Sequence, residues 1–265
     1  MMKFFSQIRR KLASENKIIA YLRYAVGEII LVVIGILIAL QINNWNAERK
    51  ERNLESKYYC RLLEDIVQDK EQIAGLTGLA NERLKASNQA VRLLLKDKPK
   101  KLEVGVQLHL AIKAIYSDFQ PNNSAFEDLK SGANLNIISD KSIIKALNHY
   151  FNKVEELKSI IMVNGKYAVD ILFAHDDNFA NGLNQSSMLS GRFLTGMEKD
   201  VYDAITIDKD ELLSGKMKTR LLNESLEYIS VNTRQLGLYN DIMKEVDVLR
   251  ALLKAKCSTI MEKKS

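Results

Sequence analysis

Between Ile29 and Leu40, twelve consecutive residues carry no polar side chain, and only Gly35 interrupts the large and small apolar groups. A helix packed on a soluble core keeps a polar face, because residues three and four apart return to the same side. This run has no such face. Extended to Ala25 and Ile42 it reaches 18 residues and takes in Glu28 and Gln41. At about 1.5 Å per residue, and with Tyr21 to Tyr24 added, it matches the ~30 Å hydrocarbon core of a bilayer. A cleaved export signal is the rival. Signals place a short apolar region close to the start and end it with a small-x-small site. Here some two dozen residues come first, and Gln-Ile-Asn-Asn-Trp-Asn-Ala follows. The pattern therefore predicts an uncleaved transmembrane helix over 24–45.

Charge sets the expected orientation. Lys3, Arg9, Arg10, Lys11, Lys17 and Arg23 precede the run; Arg49, Lys50, Arg52 and Lys57 follow it. That bias favours a cytoplasmic N-terminus. Trp45 suits the outer interface, and Tyr21 and Tyr24 the inner one. Phe4, Phe5, Ile8 and Leu12 fall at helical spacing among the basic residues, which predicts an amphipathic cytoplasmic segment over 1–23. The expected localisation is the bacterial inner membrane, single-pass, with 46–265 forming a periplasmic domain.

The net charge is +6, and all of it lies in residues 1–61; the remaining chain is balanced. A nucleic-acid surface would place a basic stripe on the folded body, so nucleic acid is not an expected partner. With 2 prolines and 12 glycines in 265 residues, helix breakers are scarce. Apolar steps of three, four and seven predict a long helix continuing from Asn46 to about Leu95 through Ile66, Ile73, Ala80, Leu84 and Val91, with Gly75 and Gly78 its weak point. A helix follows over 103–117. Ser124 is expected to cap a short helix to Leu129, which Gly132 ends. Ser139 and Asp140 cap a long helix to about Phe173. A polar loop occupies 175–190, a short helix Lys199 to Ala204, and Asp208 or Asp210 caps a further turn. The last helix runs from about Lys216 to Met261. The expected fold class is all-α: an N-terminal amphipathic helix, one transmembrane helix and an antiparallel helical bundle outside the cytoplasm.

Two stretches resemble a known family. KFFSQIRRKLASENKIIAYLRYAVGEIILVVIGILIALQINNWNAERKE, above all Gly27-Glu28-Ile29 and Gln41 to Asn46, looks like the N-terminus of a large family of uncharacterised bacterial membrane-anchored proteins, a domain of unknown function. FQPNNSAFEDLKSGANLNIISDKSIIKALNHYF looks like its middle segment. The resemblance implies location and architecture; the family has no assigned activity, so no functional residues come with it.

Candidate sites follow from the residues alone. Glu28 is a carboxylate beside the apolar run, where charge is costly; near the headgroups it has basic neighbours or a second protomer to pair with. Gly35 and Ala39 form a small-xxx-small pair that allows close helix approach. Gln41 and Asn44 are expected near the same face, and with Trp45 they complete the boundary and assembly candidates. Cys60 and Cys257 are either unrelated helix residues or, if the first and last long helices run antiparallel, a disulfide. His175, Asp176 and Asp177 read either as two metal ligands with a neighbour or as a solvated loop run, the commoner case, and His109 and His149 sit on helices. No metal spacing, phosphate loop or nucleophile–base pair is present. Catalytic, cofactor and metal residues are thus expected to be none. The expected function is a non-enzymatic, membrane-anchored interaction or assembly module, self-associating or binding another membrane or periplasmic protein. The alternative is a periplasmic ligand-sensing or enzymatic domain with its site in the bundle corner at 119–138.

Overall fold

A computed structural model of the chain describes residues 18–116, 119–132, 134–174, 196–204 and 210–261. The expected amphipathic segment before residue 18 and the 175–190 loop lie outside the described residues. Among the described residues there are six α-helices: α1 Ile18–Leu94, α2 Lys101–Ala111, α3 Ser124–Ser131, α4 Lys141–Phe173, α5 Lys199–Ala204 and α6 Gly215–Met261. A 3₁₀ turn at Asn134–Ile137 follows α3, and one isolated bridge pairs Lys100 with Leu212. The chain divides into two compact units, Met1–Ser56 and Lys57–Ser265.

The first unit contains the apolar part of α1. Its 18-residue window of mean hydropathy 2.6 has none of its residues buried. Past it, the Arg49 guanidinium lies 6.0 Å from the Trp45 ring, and Arg52 pairs with Glu48 at 3.3 Å.

In the second unit, burial on three helices follows one spacing. α1 buries Leu62, Ile66, Asp69, Ile73, Leu76, Ala80, Arg83, Ser87, Ala90 and Leu94. α4 buries Ile143, Leu147, Tyr150, Val154, Leu157, Ile161, Asn164, Ala168 and Leu172. α6 buries Leu221, Ser225, Tyr228, Asn232, Gln235, Tyr239, Ile242, Val246, Leu249 and Leu253. The steps are all three or four, the spacing that keeps one seam of a helix turned toward its neighbours. Partners along the seams include Lys70 with Asp247 at 2.6 Å, Arg83 with Asn232 at 2.9 Å, Asp140 with Lys256 at 2.7 Å and His149 with Glu245 at 3.3 Å. Cys60 and Cys257 are joined by a disulfide with Cα atoms 5.1 Å apart.

Several local expectations are corrected. The α1 seam passes through Arg83, Ala90 and Leu94, one residue before the expected Leu84, Val91 and Leu95; Leu95 is 66% exposed. An apolar stripe cannot reveal a seam whose register is held by a buried arginine. α2 ends at Ala111, short of 117, and Ala114 takes a left-handed φ of 52°. Ser124 is the first residue of α3 and does not cap it; Asn123 holds the cap position and makes no side-chain cap bond. The missing cap comes from α1, because Asp65 Oδ2 accepts the Ala125 N–H at 2.9 Å. Gly132 does end α3, at an ordinary φ of −77° that any residue adopts. Asp140 caps α4 by accepting the Ser142 N–H at 3.0 Å. Asp210 pairs with Lys100 at 2.6 Å; Asp208 lies outside the described residues.

Candidate functional site

The boundary candidates all lie on the apolar part of α1. Gly35, Ala39, Gln41, Asn44 and Trp45 are exposed, and Glu28 is partly covered. A β-carbon added at Gly27 or Gly35 would meet nothing within 4 Å. At about 100° per residue, Glu28, Gly35 and Ala39 fall within about 40° of one another. Gln41 and Asn44 fall about 120° and 180° away from Gly35. The expected single face is therefore two faces: an acid followed by small residues on one, and two amides on another.

The corner after α2 is held by a polar ladder. On α1, Arg61, Asp65, Asp69 and Gln72 stand three or four residues apart, so they share one side of the helix. Gln72 Oε1 accepts the Gln120 N–H at 2.7 Å. Asp69 Oδ1 accepts both the backbone and side-chain N–H of Asn122, at 2.7 and 2.9 Å, and its Oδ2 accepts the Tyr150 hydroxyl at 2.6 Å. Asp65 takes Ser124 Oγ–H and the Ala125 N–H. Arg61 pairs with Asp128 at 2.6 Å. Asp69 is fully buried, and burial raises its carboxyl above the usual range against the pull of its three donors. Burial, then the Asp69 charge, raises the Tyr150 phenol. Below the ladder, Phe119, Phe126 and Leu129 are buried, and Phe126 stacks on Phe151 with centroids 4.8 Å apart. Residues 119–131 therefore form a packed corner whose carboxylates are already engaged.

A second polar cluster holds the reversal after α2. Asn232 Nδ2 donates to Ala111 O at 3.0 Å, Arg83 Nη1 to Lys113 O at 3.3 Å, and Gln235 Nε2 to Ile115 O at 3.4 Å. These side-chain donors satisfy carbonyls at and beyond the end of α2 that have no helical partner. On the other side, α4 approaches closely at Gly165, where a β-carbon would sit 3.2 Å from Ile115 O. Burial lowers the Arg83 guanidinium, an effect opposed by its contact with Tyr239.

The two described histidines lie on different helices. His109 is half-buried on α2 and burial lowers its pKa, while His149 faces Glu245 across an exposed contact. His175, Asp176 and Asp177 lie outside the described residues. Among the described residues, no group of three or more His, Cys, Asp or Glu side chains is placed to hold a metal. Composition alone did not reveal Asp69, Arg83, Asn232 or Gln235. The signal was a gap: the apolar stripe of α6 steps from Val231 to Leu238, and Asn232 and Gln235 occupy the seam between them.

Among the described residues, these features define an all-helical fold with one helix long and apolar enough to cross a membrane. The chain belongs to a family of unknown function, DUF6090, whose model matches residues 28–194. That stretch includes the corner, its docking face on α1 and the whole of α4. No curated protein matches the chain, and no solved structure does.

Proposed function

We propose that this chain is a single-span protein of the bacterial inner membrane, non-enzymatic, with 1–23 cytoplasmic, 24–45 in the bilayer and 46–265 a periplasmic interaction or assembly module. The observation that carries the reading is the continuous exposed apolar surface from Ile29 to Leu40, which water does not tolerate and a bilayer does. The disulfide supports the compartment, since such bonds persist outside the reducing cytosol. Antiparallel packing is supported by the partner numbers, which fall along α6 as they rise along α1: Cys60 with Cys257, Lys70 with Asp247, Arg83 with Asn232.

A module that binds protein also needs a surface. Tyr116 and, on α4, Met162, Val163, Tyr167 and Phe173 are large, apolar and 49–64% exposed. Exposed apolar patches mark interaction sites. The rival reading, a ligand or catalytic site in the 119–138 corner, draws little support there, because Asp65, Asp69 and Asp128 are all spent on holding the chain. Crosslinking and affinity capture from intact membranes test the proposal. A crosslinked homo-oligomer or a reproducible membrane or periplasmic partner is expected; monomer alone, with no partner, would sink it.

A further inference from the structure

Charge on α1 just past the apolar run is sorted by face. At about 100° per residue, Asn46, Arg49, Lys50 and Asn53 fall within an arc of about 100°, and Glu48, Glu51 and Glu55 cluster about 180° away from it. Asn46, Arg49, Lys50 and Asn53 are all exposed. Neither Arg49 nor Lys50 has an acid three or four residues along the helix, the spacing at which side chains meet. Glu48 is engaged by Arg52 at 3.3 Å. The first face thus presents two cations between two amides, with no carboxylate among them.

Depth adds to sign. Tryptophan rings settle at the membrane interface, and the Arg49 guanidinium lies 6.0 Å from the Trp45 ring. A guanidinium against a ring face keeps the N–H groups of its edge available to a phosphate. With 24–45 in the bilayer, Arg49 and Lys50 stand about 6 and 7.5 Å beyond Trp45. The headgroup layer on each side is about 5–7.5 Å thick, so both cations reach the level of the lipid phosphates.

We propose that this face binds an anionic phospholipid of the outer leaflet, its headgroup phosphate on Arg49 and Lys50 with the Asn46 and Asn53 amides at its sides. A zwitterionic lipid offers the same phosphate but adds a cation that Arg49 and Lys50 repel. The proposal rests on the membrane-anchor reading and names a lipid partner for it.

Trp45 is the single tryptophan of the chain, so its fluorescence reads this site directly. The full chain is reconstituted in vesicles of phosphatidylcholine and phosphatidylglycerol in equal amounts, with one lipid or the other brominated near the headgroup end of its acyl chains. Quenchers in the opposite leaflet lie about 30 Å away and do not contribute. Brominated phosphatidylglycerol should quench more, with a relative association constant of about fivefold or more, the factor that one cation near the surface supplies. The Arg49→Gln/Lys50→Gln double variant should bring that ratio to about one, as should ~1 M salt. Glu51→Gln, on the opposite face, should leave it unchanged. Equal quenching by the two lipids, a preference that survives in the double variant, or a shift in Glu51→Gln as large as that in the double variant would each overturn the proposal while leaving the anchor in place. Quenching by neither lipid would overturn the anchor reading with it.

Discussion

Cutting the Cys60–Cys257 bridge is expected to be the most damaging conservative change in the second unit. The bridge closes a loop with a sequence separation of 197 residues. Loop-closure entropy grows with the logarithm of that length, and the chain-entropy relation gives about 5 kcal/mol near room temperature. The Cα atoms are 5.1 Å apart, within the ordinary range for bridged cysteines, so no helix has to move to form the bond. The assay is urea unfolding of the full chain in detergent, oxidised against fully reduced, alongside Cys60→Ala and Cys257→Ala. Both variants should lose comparable stability, on the order of 3–5 kcal/mol, and should match the reduced wild type. The comparison separates cross-link from packing: Cys257 is 4% exposed whereas Cys60 is only partly buried, so a packing effect would fall mainly on Cys257→Ala. The m-value should rise on reduction, because the uncross-linked unfolded chain exposes more surface. A loss below about 1 kcal/mol in both variants, with thiols confirmed free by alkylation, would refute the reasoning.

Three further outcomes follow from the same contacts. Tyr150→Phe removes one hydrogen bond to the buried Asp69 carboxylate and should cost about 1.5–3 kcal/mol in chemical denaturation. Gly75→Ala and Gly78→Ala fill exposed mid-helix positions where an added β-carbon meets nothing within 4 Å; each should raise stability by up to about 1 kcal/mol, and a loss would mean that α1 is not helical there. Lys256, then Ser142, lowers the Asp140 carboxyl from 3.8 to about 2. Its contribution is thus present above pH 3.8 and lost as pH falls toward 2, so Asp140→Asn should flatten that part of the acid limb in thermal melts. Asp69 has the opposite sign: with its pKa raised by burial, it contributes most when protonated and less as pH rises through its folded value.

What the sequence revealed depended on whether apolar periodicity carried the information. The Ile143, Leu147, Val154, Leu157 and Ile161 stripe of α4 reads directly as a buried face, and Asp140 reads as its cap. The α1 seam does not, because Asp69, Arg83 and Ser87 take core positions that hydrophobicity assigns to solvent. The cap on α3 was out of reach for another reason. Asp65 lies some sixty residues away, and only the packing of α1 against the corner brings it there. Ser124 next to Asn123 is a sound local signal, overridden by a tertiary one. The Gln41 and Asn44 placement needed only helical geometry: nine residues is two and a half turns, so Asn44 opposes Gly35.

The membrane-anchored, externally facing arrangement is tested most directly by fusing to the C-terminus, in a bacterial host, a reporter enzyme that folds only outside the cytoplasm, and assaying carbonate-washed membranes. Reporter activity retained in the washed membranes is expected. Activity confined to a matched reporter that folds only in the cytoplasm, or release of the fusion by the wash, would contradict it.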